Sequence, residues 1–360
     1  NYYSLGDDVY PVMLEELKKA KKFIFIEYFI INNGTMWQGI LDILKEKANS
    51  GLDVRVLYDD MGSFAMLPSN YPKLLGKYGI KCMQFNKLSP FAGIIMNNRD
   101  HRKMMIIDGH TVFSGGINIS DEYININSKL GVWKDNGIRI KGEAVWNFTV
   151  MFLEMWNSFK KEDNDYNKYK YNFTEKYKEN AFVVPYGESP LDDVITGEDI
   201  YLNIINQAKK YVDIYTPYLI IDTDMINSLI LAARRGVDVR IVVPGIPDKR
   251  IVYDLTSSYF YTLIKGGVKI YTYTNGFVHS KVFLSDDEIA TVGTINLDYR
   301  SLYLHFECGI YMKDTNVIKD IKKDFEDSFK ESHKVDEREA KNGLFKGLWQ
   351  AILRLFAPIM

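Results

Sequence analysis

The chain has 360 residues, 46% of them hydrophobic and 14% aromatic, enough for two domains with sizeable cores. Its formal net charge of −2 argues against a protein that wraps nucleic acid through bulk basic charge. Cys82 and Cys308, its two cysteines, lie in apolar strand-like runs, which argues against a disulfide framework or a cysteine metal site. No uncharged run is long enough to span a bilayer, and no signal-peptide pattern is visible.

In chain order, Val12, Leu14, Leu17 and Ala20 recur at roughly helical spacing and predict a first helix. Trp37, Ile40, Leu41 and Leu44 predict a second. The runs "KFIFIEYFI" (22–30) and "DVRVLYD" (53–59) are continuously apolar, as expected of strands in a sheet covered by helices on both faces. An apolar insert at residues 86–97, containing "LSPFAGII", reads either as a lid or lipid-facing rim or as a loop packed on its own domain.

The next strand, "NRDHRKMMIID" (98–108), carries chemistry. Residues i and i+2 of a strand share a face, so His101, Lys103, Met105 and Ile107 point one way. Arg102, Met104, Ile106 and Asp108 point the other. An imidazole beside an ammonium suits an anion. Asp108-Gly109 then predicts a tight hairpin turn, and Gly115, Gly116 and Asn118 follow. The polar residues 160–180 read as a surface crossing between halves.

The second half repeats the first. Residues 208–220, 236–244 and 267–273 match 20–30, 51–59 and 79–85. His279, Lys281, Asp286, Gly293, Thr294 and Asn296 each stand 178 positions beyond His101, Lys103, Asp108, Gly115, Gly116 and Asn118. Such self-similarity marks a duplicated structural unit. The expected fold class is α/β: two pseudo-symmetric α/β/α sandwich halves, residues 1–165 and 166–335, with the active site at their interface. Residues 336–360 form a C-terminal amphipathic helix. There Leu344, Leu348, Ile352, Leu355 and Ile359 recur at helical spacing, widened by Phe345, Trp349 and Phe356, while Lys346, Gln350 and Arg354 form a narrow polar stripe. That pattern suits a helix lying in a membrane interface; a helix docked on the protein's own core is the alternative.

The duplicated set fits phosphodiester chemistry. Two lysines and two asparagine amides can neutralise and hydrogen-bond the non-bridging oxygens as charge builds. One imidazole can attack phosphorus while the other protonates the leaving oxygen, which explains the need for both. Asp108 and Asp286 fall on the strand face opposite the histidines and are expected to fix the hairpins. Asp135 and Glu307 are the better candidates for orienting the imidazoles. No compact metal-ligand pair occurs, and lysines beside the histidines would repel a cation, so no metal is expected. No glycine-rich nucleotide cradle is present, so no cofactor is expected either.

These motifs, His101-x-Lys103-x4-Asp108-x6-Gly115-Gly116-x-Asn118 and its partner ending Gly293-Thr294-x-Asn296, resemble the paired motifs of the phospholipase D superfamily. "GGINISDEY", "WKDNGIRIKG" and "LDYRS" further resemble bacterial cardiolipin synthases. The resemblance implies the phospholipase D fold and transfer of a phosphatidyl group from one phosphatidylglycerol to another through a phosphohistidine. It implies a catalytic set of His101, Lys103, Asp108, His279, Lys281 and Asp286, and a phosphate-binding set of Asn118, Asn296, Gly116 and Thr294. His101 is the expected nucleophile by the same analogy. The implied partners are a phospholipid substrate and the bacterial cell membrane, with no nucleic acid, and a membrane-spanning segment is expected upstream of Asn1. A phospholipase D-type hydrolase or nuclease is the alternative activity, and a membrane-binding scaffold without turnover is a third. His305 in "SLYLHFE" departs from the family pattern, which has Asn there, and adds a titratable group near the site.

Overall fold

The computed structural model describes residues 1–87, 97–174 and 181–359. The insert expected at 86–97 falls almost wholly outside the described residues. Two sheets organise what is described. The first runs Tyr2–Tyr3, Gly137–Lys141, Thr111–Gly115, Lys103–Ile107, Phe23–Tyr28, Asp53–Asp59 and Lys81–Phe85. The second runs Phe182–Glu188, His305–Lys313, Ile289–Gly293, Val282–Ser285, Tyr211–Tyr215, Asp238–Pro244 and Lys269–Tyr273, then adds Ser332–Lys334. Taken strand by strand, the seven-strand order of the first sheet recurs in the second. The duplication in the sequence is a duplication of topology.

Each sheet mixes directions for a local reason. Strands joined through helices, such as Phe23–Tyr28 and Asp53–Asp59, pair in parallel, whereas the motif strand Lys103–Ile107 meets Thr111–Gly115 in an antiparallel hairpin. The outer face of the first sheet packs on helices Gly6–Lys18 and Thr35–Asn49 through Leu17, Trp37, Ile40, Leu41 and Leu44. Helices Thr196–Gln207 and Thr223–Arg234 do the same for the second sheet through Tyr201, Ile205, Met225 and Leu229. The inner faces of both sheets share one core with helices Val145–Phe159 and Val317–Lys330. Phe25, Met104 and Ile106 enter it from one half; Val282, Val292 and Ile310 enter it from the other. The halves therefore bury a common apolar interface.

Two further strand pairs stitch the halves. Arg99–Asp100 of the first half pairs in parallel with the start of His305–Lys313. Gly276–Val278 of the second half pairs in parallel with Val132–Lys134. The described part of the polar crossing is tied down rather than free at the surface. Asp163, 5% exposed, accepts from Arg55 Nη1 at 2.5 Å, and Arg55 Nη2 donates to the Tyr169 hydroxyl at 2.6 Å.

The C-terminal helix, Leu344–Leu355, docks by its polar stripe. Gln350 donates to Asp254 O at 3.0 Å and Ser257 Oγ at 3.1 Å, and Arg354 Nε donates to Ser258 Oγ at 2.9 Å. Leu353 and Ala357 join the core of the second half. Phe345, Leu348, Trp349, Ile352, Leu355 and Phe356 are left facing solvent. The tail docks on the protein and still presents most of its apolar side chains outward. No helix among the described residues is long and apolar enough to cross a membrane.

Candidate active site

The two motif strands end against the interface, and each histidine is carried across it. His101 N donates to Phe306 O at 2.8 Å, and His279 N donates to Lys134 O at 2.8 Å. The side chains follow. His101 Nδ1 lies 2.9 Å from both oxygens of Glu307, a second-half residue, and His279 Nδ1 lies 2.6 Å from Oδ2 of Asp135, a first-half residue. Each half thus supplies the carboxylate that orients the other half's imidazole. A carboxylate on Nδ1 fixes the proton there in the neutral ring and leaves Nε2 as the basic nitrogen.

Burial sets the charge states. Desolvation pushes His101 down to about 3, with Glu307 opposing and Lys103 adding to the fall. It pushes His279 down to about 4, reinforced by Lys281 and opposed by Asp135. Burial thus favours the neutral form of both rings, and the negative charge of a bound phosphodiester would favour a proton on one of them. Burial also pushes Glu307 up, but His101 and Lys103 outweigh it and hold the carboxyl well below its ordinary range. Lys103 and Lys281 are driven down by burial to about 8 and about 7, against the pull of the nearby carboxylates. Lys103 Nζ donates to His101 O at 2.7 Å; Lys281 Nζ donates to His279 O and lies 2.8 Å from His279 Nδ1. Lys103 also lowers both His279 and Lys281, so the two motif sets share one electrostatic environment.

Of the six residues expected in the catalytic set, His101, Lys103, His279 and Lys281 meet in the cleft. The aspartates do not. Asp108 accepts from the backbone N–H groups of Lys21, Lys22 and Phe23 at 2.7–2.9 Å. Asp286 accepts from those of Lys209, Lys210 and Tyr211 at 2.7–2.9 Å. Each aspartate stands five positions beyond its lysine, about 17 Å of chain at 3.3 Å per residue. They tie the motif hairpin to the start of the neighbouring strand.

The residues expected to bind phosphate fall into two kinds of place. Gly116 and Thr294 face the carboxylates. A Cβ on Gly116 would lie 2.0 Å from Asp135 Oδ1, so the bare glycine is the space that Asp135 occupies. The Thr294 hydroxyl donates to Glu307 Oε2 and accepts from Cys308 N. Their own N–H groups bond Asn136 O and Cys308 O, leaving neither for a phosphate. Gly115 and Gly293 serve strand approach: an added Cβ would meet Asn136 O at 2.4 Å and Cys308 O at 2.6 Å. Asn118 is held by Ile30 N at 3.1 Å and by donation to the Tyr123 hydroxyl at 2.8 Å, which leaves one amide hydrogen. Asn296 is buried, with Oδ1 unpartnered.

Sequence reasoning missed the walls of the cleft. Phe29 packs 4.9 Å from the His101 ring, while Tyr123 and Trp133 pack 5.3 and 5.9 Å from His279. Trp133 and His305 each stand two residues before a cleft carboxylate, a spacing visible in the sequence. One group of metal-ligand types is gathered among the described residues: His101, His305 and Glu307, with ligand atoms within 4.8 Å of one another. Glu307's oxygens are committed to His101 and Thr294, and Lys103 adds a positive charge to the same surroundings.

The family model for "Cardiolipin synthase, PLD-like domain" matches residues 13–156 and 201–329. The chain belongs to the cardiolipin synthase family of the phospholipase D superfamily, and is an enzyme that transfers phosphatidyl groups. It is 37% identical over 99% of its length to cardiolipin synthase 1 of Staphylococcus aureus (strain MRSA252), covering 72% of that protein. It is 34% identical over 99% of its length to the cardiolipin synthase of Alkalihalophilus pseudofirmus, covering 71%. An uncharacterized protein of Streptococcus mutans is 47% identical over the whole chain, which covers 78% of it. Among solved structures, phosphatidylserine synthase from Haemophilus influenzae shares the fold at TM-score 0.75 and 16% identity, with 100% of this chain and 93% of that one aligned. That match accounts for the two pseudo-symmetric halves.

Proposed function

We propose that the protein is a cardiolipin synthase that takes two molecules of phosphatidylglycerol to cardiolipin and glycerol through a phosphohistidine. The observation that carries this reading is the crossed pairing, His101 with Glu307 and His279 with Asp135, around one lysine-lined cleft. Nε2 of one imidazole, which we take to be His101, forms a bond to phosphorus as the bond to the glycerol oxygen breaks. The other imidazole, protonated once the anionic substrate is bound, gives that oxygen its proton. It then takes the proton from the hydroxyl of the second phosphatidylglycerol as the new P–O bond forms and the N–P bond breaks. Lys103 and Lys281 neutralise the charge that grows on the non-bridging oxygens.

The outward apolar face of the C-terminal helix supports work at a bilayer. The turn that follows it, Ala357–Ile359, packs against Tyr299–Tyr303, the helix that precedes His305. Exposed Ile246 and Ile251 extend the surface on the second half, and Met61, Phe64 and Met66 occupy the equivalent post-strand loop of the first. Purified protein on phosphatidylglycerol vesicles is expected to release one glycerol per cardiolipin, with an acid-labile adduct trapped on His101. Phosphatidic acid matching glycerol, without cardiolipin, would show a hydrolase instead. Removing residues 343–360 is expected to weaken vesicle binding more than turnover of a detergent-dispersed short-chain substrate. Equal loss on both, with a lower Tm, would leave the helix a purely structural part.

A further inference from the structure

His305 is the buried group that the reaction above does not use. It begins the strand His305–Lys313, two residues before Glu307 and on the same face, with its ring centroid 5.6 Å from that of His101. It is 8% exposed, and neither ring nitrogen has a hydrogen-bond partner at ordinary distance, its link to Glu307 being a long one. Glu307 Oε1 is 3.7 Å from Nδ1, too long for a hydrogen bond, and both Glu307 oxygens are already bonded to His101, one of them also to Thr294. A buried polar ring left unpaired is costly, which makes the position intelligible when a ligand fills it.

The other half supplies the control. Trp133 occupies the matching place, two residues before Asp135 and 5.9 Å from His279. An indole offers one donor and no acceptor, whereas a neutral imidazole offers one of each. The two sides of the cleft therefore differ in what they can bind. A phosphate oxygen only accepts, and the lysines already serve it. A hydroxyl both donates and accepts, and so matches an imidazole.

We propose that His305 forms a subsite beside His101 that hydrogen-bonds a free hydroxyl of the substrate's polyol headgroup, making it a specificity-determining residue. The subsite rests on the phosphatidyl-transfer reading of the cleft. It predicts that the protein selects donors whose headgroup keeps a second hydroxyl.

The test compares headgroup release from phosphatidylglycerol and from phosphatidylethanol in mixed vesicles, using the full chain. The expected kcat/KM ratio favours phosphatidylglycerol, and His305→Phe, which keeps a ring of similar size, is expected to lower that ratio about 10-fold, the worth of one hydrogen bond. His305→Gln, which keeps a donor and an acceptor, is expected to restore most of it. Equal kcat/KM for the two donors in the unaltered protein would overturn the proposal without recourse to any variant. So would a loss in His305→Phe that is the same for both donors. A weaker inhibition by inorganic phosphate with an unmoved donor ratio would assign His305 to the phosphate instead, and overturn it as well. Headgroup release without cardiolipin would count against the synthase reading alone, since the donor ratio is measured either way.

Discussion

The His279 side of the cleft sets an indole beside the imidazole and a glycine against the carboxylate: Trp133, His279, Asp135, Gly116. The His101 side sets a second imidazole there and a threonine hydroxyl: His305, His101, Glu307, Thr294. The frame is the same on both sides, down to the backbone bond that carries each histidine across the interface and the lysine that caps its carbonyl. What differs is the polarity around each ring. A duplicated scaffold first gives two equal imidazoles, but transfer needs one nucleophile and one acid. The changed neighbours are where that division of labour can be written.

The sharpest way to break the comparison is to remove the histidines singly. His101→Ala and His279→Ala are each expected to lower phosphatidyl transfer by at least about 10³-fold, the scale of lost nucleophilic and acid–base catalysis. With an activated leaving group such as p-nitrophenol, which needs no proton, His279→Ala is expected to recover headgroup release and His101→Ala is not. Recovery in His101→Ala alone would exchange the two roles.

The carboxylates come next. Glu307→Gln and Asp135→Asn are each expected to cost about 10- to 100-fold in kcat, the usual effect of losing the group that orients a working histidine. Their glycine and threonine neighbours separate the sides further. Gly116→Thr would drive a Cβ to within 2.0 Å of Asp135 Oδ1, so it should match Asp135→Asn in kcat. Thr294→Gly removes only one hydrogen bond to Glu307 and should fall by less, about 5- to 10-fold. Steady-state kinetics on all four, with melting temperatures, would show whether the sides tolerate loss differently.

The lysines give a smaller, pH-dependent effect. A buried ammonium driven below its ordinary range loses its charge early as pH rises, here through about 7 for Lys281 and about 8 for Lys103. The deprotonated cleft binds an anionic phosphodiester less well, so kcat/KM, which reports the free enzyme, is expected to decline on the alkaline side across that window. His101 and His279, held near 3 and 4, have their inflections below that window, so a break between pH 7 and 8 reports the lysines. A profile flat to pH 9 would mean that neither lysine's charge is needed.

Much of this was legible in the sequence, for identifiable reasons. The constant offset exposed the duplicated motifs, and continuous apolar strands indicated sheets covered on both faces. The parity of strand residues separated Asp108 and Asp286 from the histidines, and the structure shows each clamping its hairpin. The crossing of the carboxylates was not legible. Glu307 and His101 are 206 residues apart, and periodicity within a half says nothing about how the halves meet. The shared offset fails here as well: 307 − 135 is 172, so a six-residue difference in the connection hides an equivalence that the strand pairings Gly115 with Gly137 and Gly293 with Gly309 reveal. Gly116 and Thr294 entered the phosphate set through the resemblance, which carries no sign that they face Asp135 and Glu307. The tail's amphipathic pattern was plain, but not which stripe faces inward. Gln350 and Arg354 decide that by finding partners in Asp254, Ser257 and Ser258.

The hairpin turns carry the smallest difference between the halves. Both have two consecutive residues with positive φ: Asp108 and Gly109 at 54° and 65°, Asp286 and Asp287 at 56° and 64°. The left-handed region costs a non-glycine residue about 1–2 kcal/mol. In the first half glycine is required for space as well as conformation, because a Cβ on Gly109 would lie 2.5 Å from Tyr169 O. Gly109→Ala is therefore expected to lower stability by about 1–3 kcal/mol, conformational cost and clash together. In the second half, Asp287 recovers part of its cost: Oδ1 accepts from the Tyr211 hydroxyl at 2.7 Å and lies 2.8 Å from Lys322 Nζ. Asp287→Gly would relieve the backbone and surrender both contacts, one of them an exposed ion pair worth little, so its net effect should fall within about 1 kcal/mol of zero. Equilibrium urea unfolding of the two variants decides it. Equal destabilisation would show that the side-chain contacts of Asp287 outweigh its backbone cost, and that the second hairpin is held by Tyr211 and Lys322 rather than by its turn.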